Sequence, residues 1–366
     1  MALGLEDALG DKLSAGVLVS TSRRQSTRWQ SFIGGHPLPN EDSLAAARAA
    51  FALLDRANDG QGTLIFLISG GGSAMIEWPI SNDISLAELR AANQDLVSCG
   101  ARIAEVNSVR RAFSAIKGGG LARRAPRAQL FTLIVSDTNP GDEASVASGP
   151  TLNASADAPK AIEVVEHYRL ETVLPESIMR AVHRAQESST PVNGSHLVLL
   201  DNQTAIDAAA QKARALGFTG ATLDHICEQP IQEGGELLLA SVREAQEPFC
   251  AVSGGEFSCP VRGDGRGGRN LETALRCAIH LDHYNNTGAH FVVLSAGTDG
   301  IDGNSPAAGA IADETTLQRA RGQNLDAEQY LARSDSYTFF EQLNDLIVTG
   351  ATGTNVRDLR IILQSA

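Results

Sequence analysis

Residues 63–74 read TLIFLISGGGSA, a run of apolar and β-branched residues that leads directly into three glycines and a serine. Because polar residues do not alternate within the run, it predicts a strand covered on both faces, as strands of parallel sheets are. Similar runs that end in turns of Gly, Ser, Thr, Asp and Asn occur at 131–142, 249–256, 291–303 and 345–355. In open α/β sheets ligands bind beyond the carboxyl ends of such strands, so these turns predict an enzyme and locate its site.

Strand-like and helix-like segments alternate along the chain, which predicts the α/β fold class. The 366 residues exceed what one hydrophobic core usually supports, so we expect two domains. An N-terminal domain with a doubly wound, mostly parallel sheet is placed at 1–193, and a smaller C-terminal α/β domain at 194–366. The segment PVNGS at 191–195 is the linker candidate, and the active site is expected in the cleft between the domains.

Composition excludes several classes of protein. The net charge of −13 repels polyanions, so a nucleic-acid partner is not expected. No apolar stretch approaches the ~18 residues of a membrane span, and no signal segment opens the chain, which predicts a cytoplasmic protein without membrane contact. The five cysteines form no CxxC pair, which indicates reduced thiols. The expected partners are small molecules, and the chain is either a monomer or a homodimer.

Helical periodicity and capping signals place three helices around the first two turns. One helix is predicted over 44–57 with Ser43 as its cap. Another spans 86–98, where Ser85 and Glu88 have the spacing of a capping box. The third is predicted over 102–116.

The first turn contains Ser69, Gly70, Gly71, Gly72 and Ser73. Successive glycines allow consecutive N–H groups to point at one place, which predicts an anion-binding nest. The alternative is a tight β–α turn that only requires positive φ angles.

A second candidate site lies in the predicted helix that precedes Gly118. Helical spacing puts Asn107, Arg110, Ser114 and Lys117 in one narrow arc. Two cations and two short hydrogen-bonding side chains suit a clamp for phosphate or carboxylate. The alternative is an ordinary solvated helix face.

Two aspartates follow strand-like runs. Asp137 and Asp299 stand in turns where a carboxylate could hold Mg²⁺ while substrate phosphates supply other ligands. For Asp137 the alternative is an Asx-turn that closes the loop. For Asp299 a calcium loop is disfavoured, because Ile301 stands where an EF-hand needs Asp or Asn.

The segment GDGRGGRN at 263–270 formally matches GxGxxG, but a lone match is weak and this one is not in the first β–α turn. A glycine-rich helix start that carries arginines instead predicts a phosphate-binding site. P-loop, GxSxG and protein-kinase motifs are absent from the sequence. The phosphate- or substrate-binding candidates from the C-terminal half are Gly267, Gly268, Asn270, Thr352 and Asn355.

Seven segments in order resemble the class II glycerate 2-kinase family, glycerate kinases with a C-terminal MOFRL domain whose members are sometimes labelled hydroxypyruvate reductases. The segments lie within residues 34–359 and are GGHPLPNEDS, LISGGGSAM, GARIAEVNSVRRAFSAIKGGGLA, LIVSDTNPGDEASVASGPT, VSGGEFSCPVRGDGRGGRNLETAL, SAGTDGIDGNSPAAGAIAD and VTGATGTNVRDL.

The resemblance implies transfer of the γ-phosphoryl group of ATP, with Mg²⁺, to the 2-hydroxyl of D-glycerate, giving 2-phosphoglycerate and ADP. It implies a MOFRL region at about 247–361. The family's GGRN arginine falls on Arg269, which with Arg110 and Lys117 is expected to neutralise the transferring group.

The sequence departs from the family pattern at three places. Leu271 and Ala351 stand where the family has glutamine and proline. The family's N-terminal Gly-Lys-Ala turn, whose lysine is regarded as catalytic, precedes the position that Met1 matches. Two alternatives therefore stay open: an NAD(P)H-dependent hydroxypyruvate or glycerate oxidoreductase, and a sugar-acid-binding protein with impaired catalysis that lacks this lysine.

Overall fold

The computed structural model describes residues 1–23, 26–185, 192–243, 248–284 and 290–365. It divides into two compact α/β units, Met1–Leu199 and Leu200–Ala366, which we call unit 1 and unit 2. Of the predicted linker, Pro191 lies outside the described residues and Ser195 already begins a strand. None of the described helices combines the length and apolarity needed to cross a lipid bilayer.

Unit 1 begins with a helix, and its helices lie between and after short strands. The helices are α1 Ala2–Leu9, α2 Glu41–Asp59, α3 Gly72–Met75, α4 Leu86–Ser98, α5 Ile103–Phe113, α6 Gly120–Arg123, α7 Ala161–His167 and α8 Glu176–Arg184. The strands are β1 Gly16–Ser20, β2 Trp29–Ile33, β3 Thr63–Ser69, β4 Gln129–Val135 and β5 Ser195–Leu200.

The strands of unit 1 confirm the parallel arrangement predicted for the first two apolar runs. β3 and β4 pair in parallel, with Ser69 opposite Val135, and belong to a sheet of order β3-β4-β5. β1 and β2 form a separate parallel pair. Because β3 and β4 end at the same level, the turns that follow them leave the sheet at the same edge.

A cluster of helices fixes the position of α5 in unit 1. Leu89 and Leu96 of α4, Val109 and Phe113 of α5, and Ile178 of α8 are all buried in one apolar cluster. At about 25 cal/mol per Å² of buried apolar surface, each such side chain contributes roughly 1.5–3 kcal/mol to folding. The cluster therefore holds α5 and the polar residues that it carries in a defined orientation.

Some helix boundaries in unit 1 differ from those predicted from the sequence. The capping box of Ser85 and Glu88 is confirmed. The assignment of Ser43 as an N-cap is wrong, because α2 begins earlier, with Asn40 as the N-cap and Ser43 completing its capping box. The predicted helix over 102–116 stops at Phe113, since Ser114 is extended and forms a β-bridge with Pro79.

Unit 2 alternates helices with strands along most of its length. The helices are α9 Asn202–Ala215, α10 Ile231–Arg243, α11 Arg269–Leu281, α12 Thr316–Gly322, α13 Ala327–Ala332 and α14 Ser336–Leu343. The strands are β6 Thr219–Thr222, β7 Phe249–Ser253, β8 His290–Gly297, β9 Gly309–Asp313, β10 Leu346–Ile347 and β11 Asp358–Ser365.

The sheet of unit 2 has the order β10-β9-β8-β11-β7-β6. Its β6–β7 pair is parallel, but the pairs from β7 to β10 are antiparallel, so the parallel arrangement predicted from these apolar runs is wrong there. The β7 run lacks alternation because helices cover both of its faces: Cys250 and Val252 pack with α9, whereas Ala251 packs with α10 and α11. Burial on two faces produced the pattern independently of strand direction.

Candidate active site

The glycine turn after β3 packs against two other loops of unit 1. Gly71 has a φ of 77°, and Gly72 begins α3. A methyl group at Gly70 would overlap the Asp137 carboxylate, and one at Gly71 would come within 3.4 Å of the His36 imidazole. The absence of side chains at these glycines therefore brings the first predicted turn, the predicted metal ligand Asp137 and an imidazole together.

A chain of hydrogen bonds joins Ser73 in this turn to Asn107 on α5. The Oγ atoms of Ser73 and Ser148 lie 2.8 Å apart, and Ser148 donates to Oδ1 of Asn107 over 2.8 Å. Since an amide oxygen only accepts, Ser73 must be the donor to Ser148. The buried Ser148 and its neighbour Ala147 have left-handed φ angles of 61° and 52°, a strained conformation that is common at functional sites.

Lys117, predicted to face a ligand, points instead at a buried carboxylate. Its Nζ contacts Oε2 of Glu77, while Ser114 Oγ donates to Oε1 of Glu77 over 2.5 Å and the Trp78 N–H donates to the same oxygen over 2.9 Å. Both ionic side chains are 1% exposed. Ser114 and Lys117 reach Glu77 because the chain is extended after Phe113, so the single helical arc predicted for the four residues is wrong.

Arg110 lies in the same polar cluster of unit 1. Its Nε donates to Oδ1 of Asn93 over 2.8 Å, and the Asn93 amide donates to the Leu89 carbonyl over 2.7 Å. Burial lowers the pKa values of Arg110 and Lys117, while the charge of Glu77 acts in the opposite direction. Two cations thus share the field of one carboxylate, which leaves the cluster with an excess of positive charge.

In unit 2, an aspartate occupies the start of α11. Asp302 accepts hydrogen bonds from the backbone N–H groups of Asn270 over 3.1 Å and Leu271 over 2.8 Å. A Cβ at Gly268 would lie 2.5 Å from the same carboxylate. Burial raises the pKa of Asp302 to about 6, against which these N–H donors act. The helix terminus predicted to bind phosphate is therefore capped by the protein's own carboxylate.

The loop before α11 is also bonded within the protein. The Gly267 N–H donates to Oδ1 of Asn304 over 2.8 Å, and the Arg266 N–H donates to Oδ1 of Asp335 over 2.9 Å. The Arg266 guanidinium stacks 4.3 Å above the Tyr337 ring. A phosphate could reach these N–H groups only by displacing Asn304 or Asp335.

Arg269, the last arginine of this loop, is partly accessible, with 35% of its side chain exposed. Its Nε donates to Oδ2 of Asp358 over 2.6 Å, and its Nη2 contacts Oδ1 of Asp358 at 3.1 Å and Oε1 of Glu256 at 2.7 Å. Asn270 donates to the same Asp358 carboxylate over 2.9 Å. Burial alone would lower the pKa of Arg269, but the bonds to Asp358 raise it, so the guanidinium is charged at any physiological pH.

The other predicted residues of unit 2 hold two turns together. The Thr352 N–H donates to the Asp299 carbonyl over 3.0 Å, and Thr352 Oγ1 donates to the Thr298 carbonyl over 2.7 Å. Asp299 Oδ1 accepts from the Ile301 N–H over 3.1 Å, and Asn355 Oδ1 accepts from the Arg357 N–H over 2.9 Å. These contacts bring Asp299, Thr352 and the backbone near Asn355 into one loop pair.

Asn202, which the sequence reasoning missed, joins this loop pair to the turn after β7. Its Nδ2 donates to the carbonyls of Val356 over 2.7 Å and Asp358 over 2.9 Å. Its Oδ1 accepts from the Gly255 N–H over 2.7 Å. The side chain is buried and uses both ends of its amide, so it holds the segment that carries Asp358 beside the turn that carries Glu256.

Two further residues of these sites, Glu77 and Asp358, were given no role from the sequence. The available signals were weak. Glu77 is a single acid within the apolar stretch AMIEWPI, and Asp358 opens an apolar strand. An isolated charge in an apolar run indicates a buried partner, but it does not identify that partner.

No group of three His, Cys, Asp or Glu side chains that could hold a metal ion occurs in the described ranges. The predicted ligands Asp137 and Asp299 belong to different units. A nucleotide-bound Mg²⁺ commonly takes only one or two protein carboxylates and completes its octahedron with phosphates and water. The donors of each turn are compatible with that mode of binding and not with a dedicated protein cage.

Two family descriptions match the sequence. "Domain of unknown function (DUF4147)" covers residues 1–183, and "MOFRL family" covers residues 249–358. The first match includes the glycine turn and the cluster around Lys117, and the second includes Arg269 and Asp358.

Named relatives match nearly the whole length of the chain. A D-glycerate 2-kinase of Thermotoga maritima is 35% identical over 374 residues, which are 99% of this chain and 87% of that protein. A putative hydroxypyruvate reductase of Agrobacterium vitis is 37% identical, covering 99% of this chain and 96% of that protein. The crystal structure of a Thermotoga maritima glycerate kinase superposes with a TM-score of 0.87 at 32% identity, covering 99% of this chain and 88% of that one.

Proposed function

This chain belongs to the class II glycerate 2-kinase family and is a phosphotransferase, and we propose that it transfers the γ-phosphoryl group of ATP to the 2-hydroxyl of D-glycerate. The products would be 2-phosphoglycerate and ADP. Mg²⁺ is the proposed metal, and the cytoplasm is the proposed location. Support comes from glycerate kinase relatives that match nearly all of the chain.

The main observation in support of this proposal is the arrangement of hydrogen bonds around the Arg269 guanidinium. Its Nε and Nη2 are bonded to Asp358 and Glu256, whereas the N–H groups of Nη1 have no partner among the described residues. Phosphoryl transfer depends mainly on positioning and on neutralising the charge of the transferring group. A guanidinium that is fixed on one side and free on the other is suited to bind such an oxyanion.

In unit 1 we propose that the N–H groups of Gly70–Gly72 bind an anionic group of a substrate. The Asp137 carboxylate lies directly beside Gly70 and is the proposed Mg²⁺ ligand of this turn. Ser73 donates its proton to Ser148, which leaves its oxygen able to accept a hydrogen bond from a substrate hydroxyl. Asp299 and the Thr352–Asn355 turn remain the proposed binding groups of unit 2.

We propose that Lys117 and Arg110 assist phosphoryl transfer without clamping the transferring group directly. Lys117 is bonded to Glu77 and almost fully buried, so we propose that it positions the residues around Ser114 and adds to the positive field. A positive field in a poorly solvated region stabilises negative charge that develops during transfer more strongly than the same charge would in water.

The oxidoreductase alternative has less support from the geometry. The formal GxGxxG lies in a long loop, residues 254–268, between β7 and α11. A dinucleotide fingerprint instead forms the tight first β–α turn, with the pyrophosphate at the helix start. Here that helix start is occupied by Asp302. We therefore rank the kinase above the reductase.

A coupled ADP-release assay with ATP, Mg²⁺ and D-glycerate tests the proposal. The expected result is ADP formation that requires D-glycerate, with 2-phosphoglycerate identified by phosphorus NMR. Oxidation of NADH by hydroxypyruvate without ADP release would support the reductase instead. Binding of D-glycerate by calorimetry without either reaction would support a non-catalytic sugar-acid-binding protein.

A further inference from the structure

A large cavity lies within unit 1, beside the polar cluster of Lys117. It is bordered by α5, the glycine turn after Lys117, the segment 153–162 and α8, and its volume is about 1170 Å³. Pockets for drug-sized ligands measure roughly 300–1,000 Å³, so the cavity is much larger than a three-carbon acid requires. Its size matches a larger ligand, such as a nucleotide.

Two arginines of this cavity are packed against consecutive glycines. Gly118 and Gly119 have left-handed φ angles of 58° and 85°. A Cβ at Gly118 would lie 2.7 Å from Cδ of Arg111, and one at Gly119 would lie 2.6 Å from Nη1 of Arg123. Both side chains therefore lie directly on the backbone of the turn, which restricts where their guanidinium groups can go.

The half-buried Arg111 and Arg123 have only neutral hydrogen-bond partners in the described part of the chain. Arg111 donates to Oγ of Ser108 over 2.6 Å, and Arg123 donates to Oδ1 of Asn153 over 3.1 Å and to the Gly118 carbonyl. Burial lowers the pKa of both guanidinium groups. Asp142 acts on Arg111 through its field but does not form an ion pair with it.

Two other cations near the same cavity lie beside carboxylates. Arg180 pairs with Asp83 at 2.6 Å, and Lys160 lies 3.8 Å from Glu163. The chain as a whole carries a net charge of −13, so carboxylates are plentiful. Two desolvated cations held without a carboxylate are costly to folding, and an anionic ligand that binds between them would remove that cost.

The cavity also has apolar surface. Ile80 is 54% exposed at its edge, and Ala112, Ile162 and Val182 contribute further lining. Apolar side chains next to fixed cations suit a ligand that has a flat base at one end and phosphates at the other.

We propose that this cavity binds the nucleoside triphosphate, with Arg111 and Arg123 on its phosphates and the base against the apolar lining. The proposal rests on the proposed function in that ATP is the phosphoryl donor. It assigns the nucleotide, and not the hydroxy acid, to this part of unit 1.

The test measures ATP binding by calorimetry in the full chain, in the absence of D-glycerate. Arg111→Gln and Arg123→Gln are each expected to raise the Kd for ATP at least about tenfold, since each loses charge-assisted hydrogen bonds. The matched control is Arg127→Gln, an exposed arginine of unit 1 paired with Asp59, for which the Kd should stay within about twofold. Unchanged ATP affinity in both folded variants would overturn the proposal.

If the variants fail to fold, a second measurement, made on the unaltered chain, still tests the proposal. ATP should protect the backbone amides of residues 108–123 and 153–162 from hydrogen exchange, and inorganic tripolyphosphate should protect the first segment alone. The absence of protection in both segments would also overturn the proposal. Weaker binding of D-glycerate or 2-phosphoglycerate, with ATP unaffected, would assign the arginines to the acid and contradict the nucleotide assignment.

These outcomes are separable from those of the ADP-release assay. Turnover of D-glycerate with an unchanged KM for ATP in both variants would retain the proposed function and reject this subsite. Weakened ATP binding in the variants, in a chain that forms no ADP with D-glycerate, would retain the subsite and reject the proposed function.

Discussion

Lys117 and Glu77 form an ion pair in unit 1 in which each side chain is only 1% exposed. The two residues are far apart in sequence and meet because Ser114 is extended and pairs with Pro79. A buried ion pair is held at the cost of desolvating both charges, and the hydrogen bonds from Ser114 and the Trp78 N–H offset part of that cost.

Replacing Lys117→Met should destabilise unit 1 by about 3–5 kcal/mol, because Glu77 is left charged and buried without its cation. Urea unfolding followed by tryptophan fluorescence measures this, since Trp29 and Trp78 both lie in unit 1 and the chain has no other tryptophan. The double variant with Glu77→Gln should recover much of the loss. Simple additivity of the two single changes would contradict the coupling, and Arg127→Met, at an exposed pair, should change stability by less than about 1 kcal/mol.

Replacing Arg269→Ala should lower kcat for ADP release by about 10²–10³-fold, as the loss of one oxyanion-stabilising donor does in other enzymes. Arg269→Lys should recover little, because an ammonium group cannot reproduce the two bonds to Asp358 and still present free N–H donors. Steady-state kinetics in ATP and D-glycerate check this. Arg321→Ala, an exposed arginine paired with Asp282, is the control and should behave as the unaltered chain. A kcat near normal in Arg269→Ala would remove this residue from the site.

Asp302 should make unit 2 less stable as the pH rises. Its pKa is about 6 in the folded protein against a usual 3.8, so between these pH values the folded state retains a proton that the unfolded state has lost. The free energy of unfolding therefore falls through this interval, by about 3 kcal/mol from this group alone.

The variant Asp302→Asn removes this contribution. Calorimetric unfolding at pH 4, 5, 6 and 7 should show the stability of the variant improving relative to the unaltered chain by about 2 kcal/mol across the series. Asp264→Asn, at a fully exposed position, controls for the loss of a surface carboxylate. A difference between Asp302→Asn and the unaltered chain that is the same at every pH would show that Asp302 ionises as freely as in the unfolded state.

Gly70→Ala tests the close approach of Asp137. The added methyl group overlaps the carboxylate, so Asp137 must move, at an expected cost of about 1–3 kcal/mol. If Asp137 binds Mg²⁺ as proposed, the Mg²⁺ concentration for half-maximal activity should rise at the same time. Gly60→Ala is the matched control, because its nearest neighbour is 3.5 Å away and its φ is −81°. Equal effects of both changes would show that Gly70 has no special role.

The turn after β3 was predictable because the residues that determine it are adjacent in the sequence. Apolar residues 63–69 make the strand, and the glycines that follow them force the turn, so both appear in a single short stretch. The start of α11 at Arg269 was equally visible from the glycines before it. Its cap was not, because Asp302 reaches the helix from a distant turn.

The contacts that organise the sites depend on long-range packing. Ser114 and Lys117 were placed on a helix because their spacing fits one, but tertiary pairing with Pro79 ends that helix at Phe113. Arg110 was selected over Arg111 by the same helical arc. Only the structure shows that Arg111 lies on Gly118 at the cavity, whereas Arg110 faces Asn93.

The central position of β11 has a consequence for how the protein is made. During synthesis β7 and β8 leave the ribosome well before residues 358–365, which later form hydrogen bonds with both of them. Until then, each nascent strand has an open edge that can associate with other chains and that chaperones would need to shield. Asp358 arrives with the same segment, so Arg269 acquires its partner at the moment when the sheet closes, and a nascent chain interrupted earlier could have neither a completed sheet nor an organised site.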